Sequence, residues 1–536
     1  MRSTGAATSL AGLLQRQAEH RADAPALVDV SRSWTYSEIA HRCGQVMQAL
    51  TSAGVQADDR VGVHCNKGAD GFIAMHAVVS LGAVAVPLDP ASPAERLRRI
   101  CQQLDIEVVV SHGPRRSSLE ALLGLHPLRS IIGTVIDGTH SVGPEDLDQL
   151  SPAAPADVDP DHPSYIITTS GSTGEPKAMV HTHRSALAYA NMTLRTYGIT
   201  AEDRVTDIAP HHFDISTMSL WSVPLAGATN IVVNEAYQRL PASHSQLLQD
   251  ERATIWYSVP FLLQQLVLRG DLDNRDLSSL RWVHFGGEVI APEVIAEMMA
   301  HCPNAAFGNI FGPAETNQCS LAVFREPPPP DRPLSAGFAL DHSDIRVIDP
   351  EASSPDAANE VPPGEMGEMW VHTPQLMDGY DNRPELNAAV LQQRDGKRFY
   401  RTGDLISIDD RGEITFYGRV DHQVKVRGFR IELEGIELEL ERLTNDSRFV
   451  AEHVVVGVLR AHSGEDELVA GLLGTTDDFD QAAFLESAAS VLPSYAVPTR
   501  TVRLDTAHFT GSGKLDRRLL RDVTVQSSKG PHHEQR

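Results

Sequence analysis

Three features of the 536-residue sequence predict an α/β fold with largely parallel sheets, followed by a second, smaller unit. Short valine-rich runs alternate with stretches of helical periodicity, the grammar of strand–helix–strand units. No fixed-period repeat is present, and the 39 Gly and 33 Pro are scattered. A fresh α/β pattern starts near Asp421, after one long continuous one.

Taken in order, the elements are these. Leu10 to Leu14 is a broken apolar patch ending at Gln15 and Arg16, which reads as an amphipathic helix and not a signal peptide. Val61 to His64, Val84 to Leu88 and Ile106 to Val110 read as strands. The intervening stretches Phe72 to Leu81 and Pro93 to Leu104 read as helices. The same alternation recurs from Ile166 to Val233 and from Thr254 to Phe311. Gly143 to Pro163, Glu326 to Pro333 and Asp349 to Gly364 are exposed connections by composition. In the second unit, Val424 to Ile431 reads as a strand interrupted at Gly428. Leu433, Ile436, Leu440 and Leu443 share one helical face, Val454 to Val458 and Leu468 to Leu473 read as strands, and Asp480 to Val491 as a helix. The expected division is 1–420, 421–525 and a polar tail, 526–536.

Composition excludes several classes. Hydrophobic residues are 41% and charged residues 22%, as in an ordinary globular chain. Lys plus Arg is 46 and Asp plus Glu 71, a net charge of −25, so the overall field repels nucleic acid and anionic membranes. Any anionic ligand needs local donors. The five cysteines are widely spaced with no CxxC pair, which argues against a zinc ribbon or a disulfide framework. A reducing, cytoplasmic setting is expected. No apolar run reaches the roughly 18 residues of a membrane span.

The most informative segment runs from Ile166 to Lys177. An apolar strand enters a loop of Thr169, Ser170, Gly171, Ser172, Thr173 and Gly174, and the segment ends in Lys177. Glycines let backbone N–H groups converge on an anion, the hydroxyls add donors, and the lysine adds charge. The spacing is not that of a Walker A loop, and the alternative is a flexible Gly/Ser turn.

TTSGSTGEPK resembles the phosphate loop of the adenylate-forming superfamily, which includes acyl-CoA synthetases, luciferases and the adenylation domains of nonribosomal peptide synthesis. Further motifs follow in the family's order. Phe213 to Ser216 resembles FDxS, Asn309 to Thr316 resembles NxYGPTE, and Tyr400 to Leu405 matches YRTGDL. Gly418 to Glu432 is close to GRxDxQVKxRGxRIE, Leu492 to Pro498 resembles LPxYMVP, and Gly511 to Arg517 resembles NGKLDR. The resemblance covers nearly the whole chain. It implies a large N-terminal adenylate-forming domain of packed α/β subdomains and a small, mobile C-terminal α+β domain.

The resemblance also implies a chemistry. A carboxylate attacks the α-phosphate of ATP, giving an acyl-AMP and pyrophosphate, with phosphate charge offset by donors and Mg²⁺. It places ATP or AMP at Thr169 to Gly174, Lys177, Gly287, Glu288, Asn309, Phe311, Gly312, Thr316, Asp404 and Arg419. Phe311 stacks on adenine, or is core. Asp404 accepts from the ribose hydroxyls, or only forms a turn. Glu315 helps hold the metal. Lys514 is the expected catalytic residue, neutralising the substrate carboxylate and the α-phosphate as they approach. Asp421 stands at the hinge position, and Gly428 on the loop that replaces Lys514 during thiol attack. Two departures from the family stand out: Ala314 replaces the usual Thr, and Thr373 to Tyr380 is degenerate against the usual Gly-rich segment.

Asp214 of the FDxS motif implies an amino acid, because in the peptide-synthesis members this carboxylate pairs with the α-ammonium. The alternative is a structural Asp capping a helix that begins at Ser216. The resemblance fills the rest of the acid pocket with Ile215, Met218, Tyr257, His284, Gly286, Ile310, Gln318 and Cys319. His284 and Gln318 meet either a polar substrate side chain or each other. The segments around Tyr257 and Phe311 resemble free-standing enzymes that load proline or alanine, which points to a compact amino acid. Lys514 stands 22 residues before Arg536, so the acceptor thiol is expected in trans, on a carrier protein or, second, on CoA. Lys425, Arg427 and Arg430 are candidates for a local basic patch toward an acidic carrier. The competing readings are an acid–CoA ligase and an inactive AMP-binding sensor or scaffold.

Overall fold

A computed structural model describes residues 7–30, 32–112, 116–169, 175–350, 360–421, 423–444, 449–460, 466–475 and 479–504, with Arg517, Leu519 and Leu520. The expected phosphate-loop residues Ser170 to Gly174, Lys514 and the tail 526–536 lie outside the described residues. The chain divides into two compact units. The first takes 1–90, 101–168 and 178–421, and the second takes 91–100, 169–177 and 422–536.

The first unit holds two large sheets. In the smaller, Arg60–Cys65 lies between Val84–Pro87 and Val108–His112, all parallel, and Val84–Pro87 borders Pro163–Thr169. These are the valine runs of the sequence. Val61, Val63, Val84, Val86, Val108 and Val109 are buried, as expected of strands covered on both faces. Two helices coincide with the expected helical stretches: Ala69–Ser80, and Ala94–Gln103, most of which belongs to the second unit. Leu13–Arg21 supplies the N-terminal helix. The connection from 143 to 163 is not wholly irregular: Pro144–Asp148 is a short helix, with Asp146 accepting from the Gly143 N–H at 3.0 Å.

The larger sheet positions the site. Its parallel centre runs Arg204–Asp207, Ile255–Ser258, Trp282–Gly286 and Ala306–Phe311, with Tyr257 opposite His284 and His284 opposite Gly308. The chain then reverses, and Ser320–Phe324 pairs antiparallel with Ala306–Phe311. Farther out, Lys397–Ile408 and Glu413–Arg419 form an antiparallel pair with Asp404 opposite Arg419.

In the second unit the interrupted strand resolves into two. Gln423–Val426 and Phe429–Glu432 pair as a hairpin, and the turn between them places Arg427 at φ 54° and Gly428 at φ 86°. Two successive left-handed residues are what a two-residue hairpin turn demands, and glycine takes the second without strain. Leu433–Thr444 follows as the expected helix. His453–Arg460, Asp466–Leu473 and Arg500–Leu504 make a three-stranded sheet whose last strand the sequence reading lacks. The helix expected over 480–491 is shorter, Gln481–Ala489: Asp480 caps its start by accepting from the Ala483 N–H at 3.0 Å, and Ser490 is its C-cap.

All five cysteines are buried and unbridged. Among the described residues, no helix is long and apolar enough to cross a membrane.

Candidate active site

The strand Ala306–Phe311 ends in a tight reversal. A Cβ at Gly312 would stand 2.2 Å from the Asn317 carbonyl oxygen, so only glycine fits. Thr316 closes the turn through its N–H and hydroxyl to the Pro313 carbonyl at 3.0 and 3.2 Å, and Asn317 sits at φ 53°. Asn309 donates its amide to the Ser335 carbonyl at 2.8 Å. Phe311 lies 5.5 Å from the Phe416 ring. Ala314 packs its methyl group against the apolar core.

The reversal buries Glu315 completely. The Tyr380 hydroxyl donates to Glu315 Oε1 at 2.6 Å and lies 3.3 Å from the Tyr400 hydroxyl. Asn387 holds Tyr380 in place, accepting from its N–H at 2.7 Å and donating to its carbonyl at 2.8 Å. Burial pulls the nearby His181 imidazole down to about 4, against the opposing pull of Glu315. Tyr380 was not among the expected site residues; its only trace is the Gly-Tyr at the end of the degenerate segment.

Asp404 is held by Arg419, whose Nη1 donates to Oδ1 at 2.5 Å. The same guanidinium donates to the Thr402 carbonyl at 2.9 Å and to both Asp421 oxygens at 2.7 and 2.9 Å. Gly403, at φ 73°, lets it lie flat: a Cβ there would stand 2.8 Å from Arg419 Nη2. Three residues predicted for separate roles, Asp404, Arg419 and Asp421, therefore form one network. Cys319 adjoins it. Burial pushes its thiol well up, and the Asp404 charge adds to that effect.

Four of the residues expected to line the acid pocket also come together, whereas Cys319 packs in a different apolar cluster. Ile215, Met218, Tyr257 and Ile310 share one apolar cluster with Tyr189, Tyr197, Val205 and Trp282. Burial raises the Tyr257 and Tyr189 phenols, and the Asp214 charge raises both further, so Asp214 acts on this cluster. The Asp214 backbone carbonyl accepts from the Thr217 N–H at 3.0 Å. His284 lies among aromatic rings, with centroids 4.0 Å from Tyr197, 4.9 Å from Trp282 and 6.1 Å from Tyr257. Gln318 does not bond His284. Its Oε1 accepts from the Tyr197 hydroxyl at 2.5 Å, a partner without a sequence signal because Tyr197 closes a distant helix, His183–Tyr197. Gln375 donates to the Gln318 carbonyl. After the strand Trp282–Gly286, Gly287 turns at φ 99° and leads to the half-buried Glu288.

In the second unit, Lys177 pairs with Glu432, Nζ to Oε1 at 2.7 Å, and Gln423 donates to the same oxygen at 3.3 Å. Thr169 belongs to this unit as well.

Residues 14–381 match the family model of the AMP-binding enzymes. The chain is 32% identical over 524 residues to phenyloxazoline synthase MbtB of Mycolicibacterium paratuberculosis, covering 97% of this chain and 42% of the relative. It spans less than half the length of the curated relatives it matches. Among solved structures, the adenylation domain AlmE of Vibrio cholerae, in complex with glycyl-adenosine-5'-phosphate, superposes with a TM-score of 0.82 at 22% identity. That match covers 98% of this chain and 99% of AlmE. An artificially fused adenylation–PCP di-domain, NpsA-ThdA from Klebsiella oxytoca, superposes with a TM-score of 0.76 at 21% identity over 97% of each chain. These two likenesses establish the fold. The family match over residues 14–381 and the relative's identity across almost the whole chain lead to one assignment: the chain belongs to the family of AMP-binding enzymes.

Proposed function

We propose that the enzyme activates a compact amino acid, proline- or alanine-like in size, as its aminoacyl-AMP and transfers it to the phosphopantetheine thiol of a carrier protein. The observation that carries this reading is a half-buried Asp214 whose charge reaches the tyrosines of an apolar cluster. A carboxylate in that setting favours a cationic partner, and an α-ammonium supplies one while the substrate carboxylate stays free to react.

In the first step a substrate carboxylate oxygen attacks the α-phosphorus and pyrophosphate leaves. In the second, the thiol attacks the acyl carbon, losing its proton, and AMP leaves. Asp404, oriented by Arg419, takes the ribose hydroxyls. Phe311 covers the adenine, with Gly287, Glu288, Asn309, Gly312 and Thr316 lining the nucleotide. Thr169 to Gly174 and Lys177 hold the outer phosphates, and Lys514 neutralises the reacting oxygens. Residues 421–525 serve as the mobile domain, with Asp421 at its hinge and Gly428 beside the pantetheine arm.

Glu315 fits Mg²⁺: it is a hard oxygen donor, fully buried and oriented by Tyr380. When bound, Mg²⁺ supplies charge neutralisation at the phosphates.

The test is ATP–pyrophosphate exchange with amino acids and with matched acids lacking the amine, followed by mass measurement of a phosphopantetheinylated carrier protein. Exchange with an amino acid but not its deaminated analogue, and a carrier mass gain of one aminoacyl group, are expected. Exchange with plain acids and loading of CoA alone would replace this reading with an acid–CoA ligase.

A further inference from the structure

The strand that carries Asp404 is interrupted at that residue. Lys397–Ile408 pairs antiparallel with Gly367–His372, and the register sets Trp370 opposite Arg401 but Glu368 opposite Leu405. Three residues, Thr402, Gly403 and Asp404, therefore stand against one, Met369. Extra residues in one strand of a pair form a bulge, which bends that strand and re-aims its side chains. Here the re-aimed side chain is Asp404, the acceptor proposed above for the ribose hydroxyls.

A bulge takes backbone groups out of the ladder, and buried ones need other partners. Several find them within the site. The Thr402 carbonyl accepts from Arg419 Nη2 at 2.9 Å, and the Gly403 carbonyl from the Val420 N–H at 2.9 Å. The Asp404 N–H donates to the Thr402 hydroxyl at 2.9 Å, and that hydroxyl donates to the Met369 carbonyl at 2.9 Å. The Gly403 N–H reaches a side chain of the facing strand, Glu368 Oε1, at 3.3 Å. Gly403 is held there at φ 73°, the left-handed conformation that glycine takes without strain. Glu368 is buried, and its other oxygen is fixed too: Oε2 accepts from Arg401 Nη2 at 2.8 Å and from the Trp370 indole N–H at 3.4 Å. The guanidinium offsets the cost of burying this carboxylate, and an ionised acceptor bonds an N–H more strongly than a neutral one.

We propose that Glu368 is a positioning residue for the nucleotide. It does not touch the ligand; by pinning the Gly403 N–H it holds the bulge in the conformation that points the Asp404 carboxylate at the ribose hydroxyls. This rests on the reading of Asp404 as the ribose acceptor, and it is independent of which acid the enzyme activates. Removing Glu368 therefore costs the contacts that the ribose hydroxyls make, and leaves the rest of nucleotide binding in place.

Calorimetric titration of the full chain with AMP, 2′-deoxy-AMP and 3′-deoxy-AMP reads the ribose contact without turnover. The unaltered protein is expected to bind AMP about tenfold or more tighter than at least one deoxy analogue. Glu368→Ala is expected to weaken AMP by about tenfold and that analogue by less than about twofold, so the preference for the full ribose collapses. Glu368→Gln keeps an oxygen for the Gly403 N–H and is expected to restore part of the preference. Thr402→Val removes the hydroxyl that accepts from the Asp404 N–H and is expected to act as Glu368→Ala does; it decides the question if Glu368→Ala does not fold. Equal weakening of all three nucleotides makes Glu368 a residue that only holds the fold and overturns the proposal. A Glu368→Ala protein that binds all three as before overturns it as well. An unaltered protein that does not distinguish AMP from either deoxy analogue overturns the ribose role of Asp404 itself, and the proposal with it.

Discussion

The Tyr380 hydroxyl donates to the Glu315 carboxylate at 2.6 Å, and both side chains are buried. A hydrogen bond to a buried charge is worth about 1.5–3 kcal/mol, and here it also fixes where the carboxylate oxygens point. Tyr380→Phe is therefore expected to raise the Mg²⁺ concentration for half-maximal exchange by about tenfold, with KM for the amino acid unchanged. Titrating Mn²⁺ binding by electron paramagnetic resonance checks the same effect without turnover. A purely structural Tyr380 would lower the melting temperature and leave both metal curves in place.

Arg419 uses its planar fork to join Asp404, Asp421 and the Thr402 carbonyl. Lysine keeps the charge and loses the fork. Arg419→Lys is expected to raise KM for ATP by about tenfold while KM for the amino acid stays put. Initial-rate exchange kinetics with each substrate varied in turn measure this split.

Acid should destabilise the protein early. Burial holds His76, His211, His244 and His284 near 3, and His181 and His183 near 4. Each is depressed below its ordinary value of 6.5, so the unfolded chain binds more protons between that value and the folded one. Stability is full above about pH 6.5 and falls as pH drops toward 4, by up to about 1.4 kcal/mol per pH unit for each histidine. Urea midpoints at pH 7, 6 and 5 are expected to fall steeply. His244, edge-on to Trp256 with both ring nitrogens unpartnered among the described residues, isolates one contribution. His244→Leu is expected to flatten the slope.

The Lys177–Glu432 pair ties residue 177 to the hairpin strand Phe429–Glu432 within the second unit. Both side chains are largely buried, so removing one charge leaves the other exposed to the cost of burial. Glu432→Gln is expected to cost about 1–3 kcal/mol. Hydrogen exchange should locate that loss at the hairpin amides of 423–426 and 429–432, with the strands of the first unit unaffected.

Local chemistry made much of the fold readable. Valines buried on both faces announced the parallel strands 60–65, 84–87 and 108–112, and glycine punctuated the hairpin at 428. The strand Arg500–Leu504 escaped, because Arg500 and Arg503 break its apolar signal and its pairing with Asp466–Leu473 arises only in the assembled sheet. The same limit applies to the site. Motifs singled out Glu315, Asp404 and Arg419 as candidates, since each sits in a short ordered string. Tyr380 and Tyr197 act on Glu315 and Gln318 across 65 and 121 residues of chain, and nothing local encodes such a meeting.

The burial of every cysteine has a practical consequence. Cys43, Cys65, Cys101, Cys302 and Cys319 are all shielded, and burial pushes their thiols to about 12 or above, so the reactive thiolate is scarce at neutral pH. The folded enzyme is expected to be silent toward maleimides and disulfide reporters. A thiol reagent added to a mixture with a carrier would then count only the pantetheine arm, and its loss of signal would follow acylation in real time. Labelling that appears on the enzyme itself would instead mark unfolding, giving the chain five internal reporters without any introduced probe.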